Sequence, residues 1–164
     1  MPTTVNVTYT ARVNPDGEQT VMSHGQLWRA MIEKVKNPMI FVPIKECKVL
    51  EETETSITRE VVFQPGVGPP PEKQPVKEVC NLWAPTQVDF HQPDGSLVQN
   101  IISRGSTLAD TDLYLTYAFH WVRPDVEPGT QAEADAIDEY TKMSRTAVEG
   151  SIEGARKLVA AGKL

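Results

Sequence analysis

Apolar residues occupy every second position over Val5, Val7, Tyr9, Ala11 and Val13, with Asn6, Thr8, Thr10 and Arg12 between them. A period of two is the pattern of a half-buried strand, and Asn14-Pro15-Asp16-Gly17 ends it with turn chemistry. The period then lengthens. Ser23 stands where an N-cap belongs, Gln26 three residues later completes a capping box, and Leu27, Trp28, Met31, Ile32 and Val35 follow at helical spacing up to Pro38. The short apolar piece ending in Val42-Pro43 reads as a second brief helical turn. Cys47–Glu51, Thr55–Gln64, Val76–Trp83, Gln87–His91, Leu97–Ser103 and Leu113–Arg123 return to strand patterning. Between them lie Glu52-Thr53-Glu54, the Pro/Gly-rich loop 65–72, Ala84-Pro85, the segment 92–96 and the segment 105–112. From about Gln131 to Ala161 the pattern is one long helix, with Glu133, Asp135, Asp138 and Glu139 toward its start and Arg156 and Lys157 toward its end, as the helix dipole favours. The expected architecture is α+β: one domain over residues 1–164, with a curved seven-stranded antiparallel sheet, two short helices after the first strand and a long C-terminal helix. Most of the 13 prolines fall between these elements, where a missing N–H costs no ladder bond.

The turns set expected registers. Placing Val49 opposite Ile57 puts Cys47 opposite Arg59. Across the next connections, Arg59 faces Glu78, Ile57 faces Cys80, and Val61 faces Val76. Cys80 then faces Phe90, Leu82 faces Val88, Phe90 faces Val98, and Val88 faces Asn100. Ile102 opposite Leu115 places Asn100 beside Tyr117 and Val98 beside Phe119. One face collects Val49, Ile57, Val61, Phe63, Val76, Leu82, Val88, Phe90, Val98, Ile102, Leu115, Phe119 and Trp121. The other collects Ser56, Thr58, Gln87, Asp89, His91, Tyr114, Thr116 and His120.

Four polar residues fall on the apolar face: Arg59, Glu78, Asn100 and Tyr117, with Cys47 and Cys80 beside them. A buried ion is costly unless paired, and Arg59 and Glu78 face each other. The pair is either a lock on sheet register or part of a polar cluster that orients a ligand. The sheet-facing stripe of the long helix, expected at Ile137, Tyr140, Ser144, Ala147 or Val148, Ser151 and Ala155, is rich in small and hydroxyl side chains. Small residues opposite a curved sheet leave space for a cavity, or else permit close helix–sheet packing.

Composition narrows the chemistry. The 164 residues carry 16 Lys and Arg against 22 Asp and Glu, a net charge of −6, which argues against a nucleic-acid partner. The densest apolar run, residues 39–44, is far too short to cross a bilayer, and the N-terminus resembles no secretory signal. A cytoplasmic protein without a membrane partner is the expectation, as a monomer or weak homodimer. Two cysteines, Cys47 and Cys80, are not expected to form a disulfide scaffold or a four-ligand zinc site. His24, His91 and His120 do not converge, so no metal is expected. No nucleotide-binding loop or Ser-His-Asp order is present, and no cofactor is expected.

The order of elements resembles the START-like, helix-grip (SRPBCC) superfamily. The runs Gln26-Leu-Trp28, Phe41-Val-Pro43, Cys47-Lys-Val-Leu50, Thr58-Arg-Glu-Val61, Asn100-Ile-Ile-Ser103 and Leu113-Tyr-Leu-Thr-Tyr117 are similar to its AtaL-like family. The resemblance covers nearly the whole chain and rests on structural motifs. It implies a hydrophobic cavity between the sheet and the last helix for small, largely apolar ligands; it carries no catalytic signature.

Two functions follow. In the preferred one, the chain is a cofactor-independent enzyme of cyclase, lyase or isomerase type. It steers cyclisation, elimination or rearrangement of a polyketide- or peptide-derived secondary-metabolite intermediate by holding one conformer. Glu78 would act as a carboxylate or general acid/base, while Arg59, Asn100 and Tyr117 would bind a carbonyl or enolate oxygen. Trp28, Cys47, Ile57, Val61, Cys80, Phe90, Phe119, Trp121, Tyr140 and Ser144 would line the pocket, with Trp83 as a further rim candidate. On this reading Arg59→Ala and Glu78→Gln lower turnover much more than stability. In the alternative, the same pocket carries a hydrophobic metabolite or lipid unchanged.

Overall fold

A computed structural model describes residues 3–164. Strand β1 (Thr4–Arg12) leads to helix α1 (His24–Lys36) and a single 3₁₀ turn (Pro38–Ile40). Strands β2 (Ile44–Glu52), β3 (Ser56–Phe63), β4 (Val76–Trp83), β5 (Gln87–His91), β6 (Leu97–Arg104) and β7 (Leu113–Val122) follow, and α2 (Gln131–Ala160) ends the chain. The sheet is antiparallel in the order β1-β7-β6-β5-β4-β3-β2, so the meander from β2 to β7 is closed by β1 at its far edge. No helix among the described residues is long and apolar enough to cross a membrane.

Local chemistry places the ends of these elements. The Ser23 side chain accepts from the Gln26 amide and the Gln26 side chain returns to the Ser23 amide, forming the expected capping box. Thr130 caps α2 by accepting from the Glu133 amide. Strands β3 through β7 pair in the expected registers: Arg59 opposite Glu78, Ile57 opposite Cys80, Cys80 opposite Phe90, Val88 opposite Asn100, and Asn100 opposite Tyr117.

Strand β2 departs from expectation. Val49 stands opposite Arg59 and Cys47 opposite Val61, with register shifts between Ile44 and Glu46 and between Val49 and Glu51. The bulges add residues to one side of the pair, which turn geometry alone does not reveal. As a result Val49 is 36% exposed on the edge strand and is no part of the buried inner face.

Helix α2 presents Ala136, Ser144, Val148, Ser151, Ile152, Gly154 and Ala155 to the interior. Ile137, expected to face the sheet, is exposed, and Ala136 is buried in its place. Part of the small-residue stripe serves close packing. A Cβ on Gly150 would lie 2.9 Å from the Phe41 carbonyl oxygen, and one on Gly154 would lie 2.8 Å from that of Ile40. The connection between α1 and β2 therefore rests directly on the α2 backbone. Met31, Phe41, Phe90, Tyr117, Val148 and Ile152 belong to one buried apolar cluster between sheet and helices. These side chains pack the inner end of the hollow expected there, while Val98, Phe119, Trp121 and Tyr140 toward its mouth stay half-buried.

Candidate functional site

The site grows from one row of cross-strand neighbours. Leu82, Val88, Asn100, Tyr117 and Tyr9 run across β4, β5, β6, β7 and β1 on the concave face. Asn100 and Tyr117 are 2% and 1% exposed. Above this row lies a residue that the sequence reading passed over. Lys34, on α1, is 5% exposed, and its ammonium Nζ donates to Asn100 Oδ1 at 2.6 Å. The same Nζ lies 4.6 Å from the centroid of Phe90 and 5.0 Å from that of Tyr117. Two aromatic faces thus stand where water would solvate the charge.

The buried face of α1 consists of Leu27, Ala30, Met31, Lys34 and Val35. Those positions follow the i, i+3, i+4, i+7, i+8 pattern, and Lys34 falls within it. The expected stripe of Leu27, Trp28, Met31, Ile32 and Val35 leaves Lys34 outside it, whereas Trp28 and Ile32 are half-buried and Lys34 points in. The detectable signal was a cation on the long axis of an otherwise apolar helical stripe.

Next to this cluster the Arg59–Glu78 pair forms as expected. Arg59 Nε and Nη2 both reach Glu78 Oε2, at 2.8 and 2.7 Å, with both side chains almost fully buried. Arg59 Nη1 donates to the carbonyls of Val35 at 2.8 Å and Lys34 at 3.2 Å. It thereby satisfies carbonyls at the C-terminal end of α1, where the helix has no further N–H to offer. Gln92 Nε2 donates to the other Glu78 oxygen at 3.2 Å. The pair is consequently engaged by the scaffold on both sides.

Lys34, Asn100 and Tyr117 differ in this respect. Asn100 Nδ2 is buried with no hydrogen-bond partner. The Tyr117 hydroxyl donates to the Met31 sulfur at 4.0 Å, a weak acceptor, and lies beside the Ser151 hydroxyl. Lys34 has three N–H donors, one of them committed to Asn100. Lys34 and Asn100 thus keep underused donors side by side at one desolvated place, with the face of the Tyr117 ring against the ammonium.

Electrostatics reinforce the contrast. Burial, and then repulsion from Arg59, lowers the Lys34 pKa from 10.5 to about 7. Burial raises the Tyr117 phenol above its ordinary range and pushes the Cys80 thiol up to about 12. Burial also raises the Cys47 thiol, which donates to the Val35 carbonyl at 3.8 Å. Both cysteines are free thiols, and neither is a poised nucleophile.

From this cluster an aromatic lane runs outward. Tyr117 meets Phe119 edge-on at 6.1 Å, Phe119 stacks on Trp121 at 5.6 Å, and Trp121 leans on Tyr140 of α2 at 6.0 Å. Tyr117 is buried, whereas Phe119, Trp121, Tyr140 and the neighbouring Val98 are half-buried although they belong to the concave face. Solvent reaches the inner face along this line.

The other candidate residues sort by position. Phe90 and Cys80 border the cluster, and Ile57 lies beside Cys80 within the main buried core. Trp28 packs against that core from α1. Val61 and Cys47 belong to a separate apolar group with Ile44, Val76 and Phe63. Ser144 is buried, but its hydroxyl donates back to the Tyr140 carbonyl at 2.7 Å. Trp83 is 59% exposed and donates to Asp89 on the outer face, so it is no rim of an inner pocket. His24 bonds the Pro85 carbonyl, His120 bonds Asn6, and His91 is exposed. Two surface concavities, one near Arg12, Asp16 and Asp112 and one near Thr55 and Trp83, lie away from the cluster.

A family model described as acetylaranotin biosynthesis cluster protein L, AtaL, matches residues 7–162. The chain belongs to the AtaL family. A curated member from Aspergillus terreus, acetylaranotin biosynthesis cluster protein L, is 22% identical to this AtaL-family chain, with 98% of this chain and 94% of that protein aligned. Among solved structures, the Zhui aromatase/cyclase from Streptomyces sp. R1128 superposes with a TM-score of 0.68 at 14% identity, covering 99% of this chain and 100% of the other. The di-domain aromatase/cyclase StfQ of the steffimycin pathway gives 0.68 at 12% identity; the AtaL-family chain covers 52% of it. These likenesses establish the helix-grip fold: an antiparallel sheet curved around a long C-terminal helix.

Proposed function

We propose that this AtaL-family protein is a cofactor-independent enzyme acting on a polyketide- or peptide-derived intermediate of secondary metabolism. It steers cyclisation, elimination or rearrangement by fixing one conformer of a largely apolar chain. Membership in a family described by a biosynthetic cluster protein, and structural neighbours that are aromatase/cyclases, support this reading.

One observation carries it at the level of residues. Asn100 Nδ2 is a buried amide donor without a partner, next to the Lys34 ammonium and across the strand pair from Tyr117. A buried donor left unbonded costs about 1–3 kcal/mol, and the cost is recovered when an acceptor arrives. A carbonyl or enolate oxygen supplies that acceptor, and negative charge developing on it during enolisation strengthens every such bond. In this scheme Lys34, Asn100 and Tyr117 hold the oxygen, while Phe119, Trp121 and Tyr140 seat the apolar remainder. Arg59 and Glu78 serve as positioning residues that fix α1, and with it Lys34, against the sheet.

The test uses a synthetic linear poly-β-ketone incubated with the full chain, with Tyr117→Phe and with buffer alone. The expected result is enrichment of one cyclised isomer by the wild type, reduced several-fold by Tyr117→Phe. A product distribution equal to that in buffer would overturn the enzymatic reading. If the unchanged ketone were then recovered in tight stoichiometric complex, the protein would be a carrier.

A further inference from the structure

We infer that Lys34 is a covalent capture point, whose side-chain amine forms an imine with the carbonyl carbon of an aldehyde or ketone seated at the Asn100–Tyr117 row. The inference rests on the oxygen-binding site proposed above and goes beyond it, because it assigns a bond-forming step to one atom.

Geometry makes the case. Lys34 Nζ lies between the Phe90 and Tyr117 rings and is anchored by Asn100 Oδ1 at 2.6 Å. Its only potential carboxylate partner within the cluster, Glu78, is engaged by Arg59 and Gln92. The charged groups facing the amine are therefore Arg59, which opposes a second positive charge, and Glu78, which that guanidinium already neutralises. The thiols of Cys80 and Cys47 lie nearby and stay protonated. A buried amine without a counter-ion favours its neutral, nucleophilic form, in keeping with its pKa near 7.

The donors unused by the scaffold suit the step. The Nζ lone pair attacks the carbonyl carbon, a C–N bond forms, and the C=O π pair moves onto oxygen. Asn100 Nδ2 and the Tyr117 hydroxyl hydrogen-bond that oxygen, and the proton shed by nitrogen passes to it, giving a neutral carbinolamine. Loss of water leaves the C=N bond; hydrolysis reverses both steps and regenerates the amine. No oxidant, reductant or metal takes part. Protonation of the C=N nitrogen by water gives the iminium, which acidifies the C–H bonds beside it, the activation that an intramolecular condensation requires.

Reductive trapping tests the assignment. The full chain is incubated with 1-naphthaldehyde and sodium cyanoborohydride at a series of pH values, and the modified lysines are located by peptide mass mapping. Lys34 is expected to be alkylated at neutral pH about ten-fold or more faster than the other lysines, with a rate that rises through about pH 7. Tyr117→Phe is expected to slow the labelling of Lys34 alone. Modification confined to the other lysines, or Lys34 labelling that follows an ordinary ammonium titration, would overturn the inference. Non-covalent binding of 1-acetylnaphthalene is measured in parallel. Binding without trapping refutes the imine and leaves the oxygen site standing, whereas absence of both refutes the site itself.

Discussion

Replacing Lys34 by Met keeps an unbranched stem of similar length and removes a charge that the interior holds at a cost. The lysine pKa falls from 10.5 to about 7 on burial, and each unit corresponds to about 1.36 kcal/mol between protonation states. The ammonium therefore lowers wild-type stability by at most about 5 kcal/mol at low pH. Against that stands the loss of the hydrogen bond to Asn100 Oδ1, worth about 1–3 kcal/mol because the oxygen is left without a donor. Lys34→Met is thus expected to be the more stable protein at about pH 6, by a few kcal/mol. Below about pH 7 both native and unfolded wild type hold the proton, and the penalty is complete. Between about 7 and 10.5 the unfolded chain binds more protons than the native one, so wild-type stability rises with pH. From about pH 6 to about pH 8.5 the advantage of Lys34→Met should shrink by about 2 kcal/mol. The two thiols and Tyr117 are common to both proteins and largely cancel in the difference. Urea unfolding of both proteins across this range measures it. A difference that stays flat with pH, or a variant less stable than wild type at pH 6, would show that Lys34 is not a desolvated ammonium.

Arg59→Ala leaves Glu78 and the carbonyls of Lys34 and Val35 without their donor, and should cost about 3–5 kcal/mol in urea unfolding. A variant of wild-type stability would contradict the scaffold role and restore the expectation that turnover suffers first. Tyr117→Phe removes a weak contact to sulfur and one to Ser151, whose hydroxyl keeps its bond to the Ala147 carbonyl, so its melting curve should lie within about 1 kcal/mol of wild type while ligand discrimination is lost. Gly154→Ala drives a methyl to 2.8 Å from the Ile40 carbonyl oxygen, and calorimetry should show destabilisation of about 1–3 kcal/mol.

Much of this site was legible because strand pairing is a short-range code. Tight turns fixed the pairings of β4 with β5 and β5 with β6, and matching the apolar face carried the register across the longer loops to Arg59 and Tyr117. The edge strand β2 escaped because two bulges shift its pairing with β3, and neither alternation nor the turn 52–54 announces them. Lys34 escaped for a different reason. Lysine is ordinarily solvated, so the apolar stripe of Leu27, Trp28, Met31, Ile32 and Val35 left it out, whereas tertiary contacts turn the helix toward Ala30 and Lys34. The role of Arg59 changed with it: its Nη1 reaches carbonyls 24 and 25 residues away in sequence, contacts that no spacing rule foretells. The glycines of α2 read equally well as room for a ligand or as close packing, and the backbone of Ile40 and Phe41 decides for packing at Gly150 and Gly154.

The central claim is that Lys34, Asn100 and Tyr117 recognise a ligand oxygen at the inner end of an aromatic lane. Titration calorimetry with 1-acetylnaphthalene and with naphthalene, on wild type and on Tyr117→Phe, tests it most directly, since the two probes share their apolar surface and differ by a carbonyl. The account predicts that wild type binds the ketone about ten-fold more tightly than the hydrocarbon, as one to two net hydrogen bonds would give. In Tyr117→Phe most of that preference should vanish, with naphthalene affinity unchanged. Equal affinity of the wild type for both probes would contradict it.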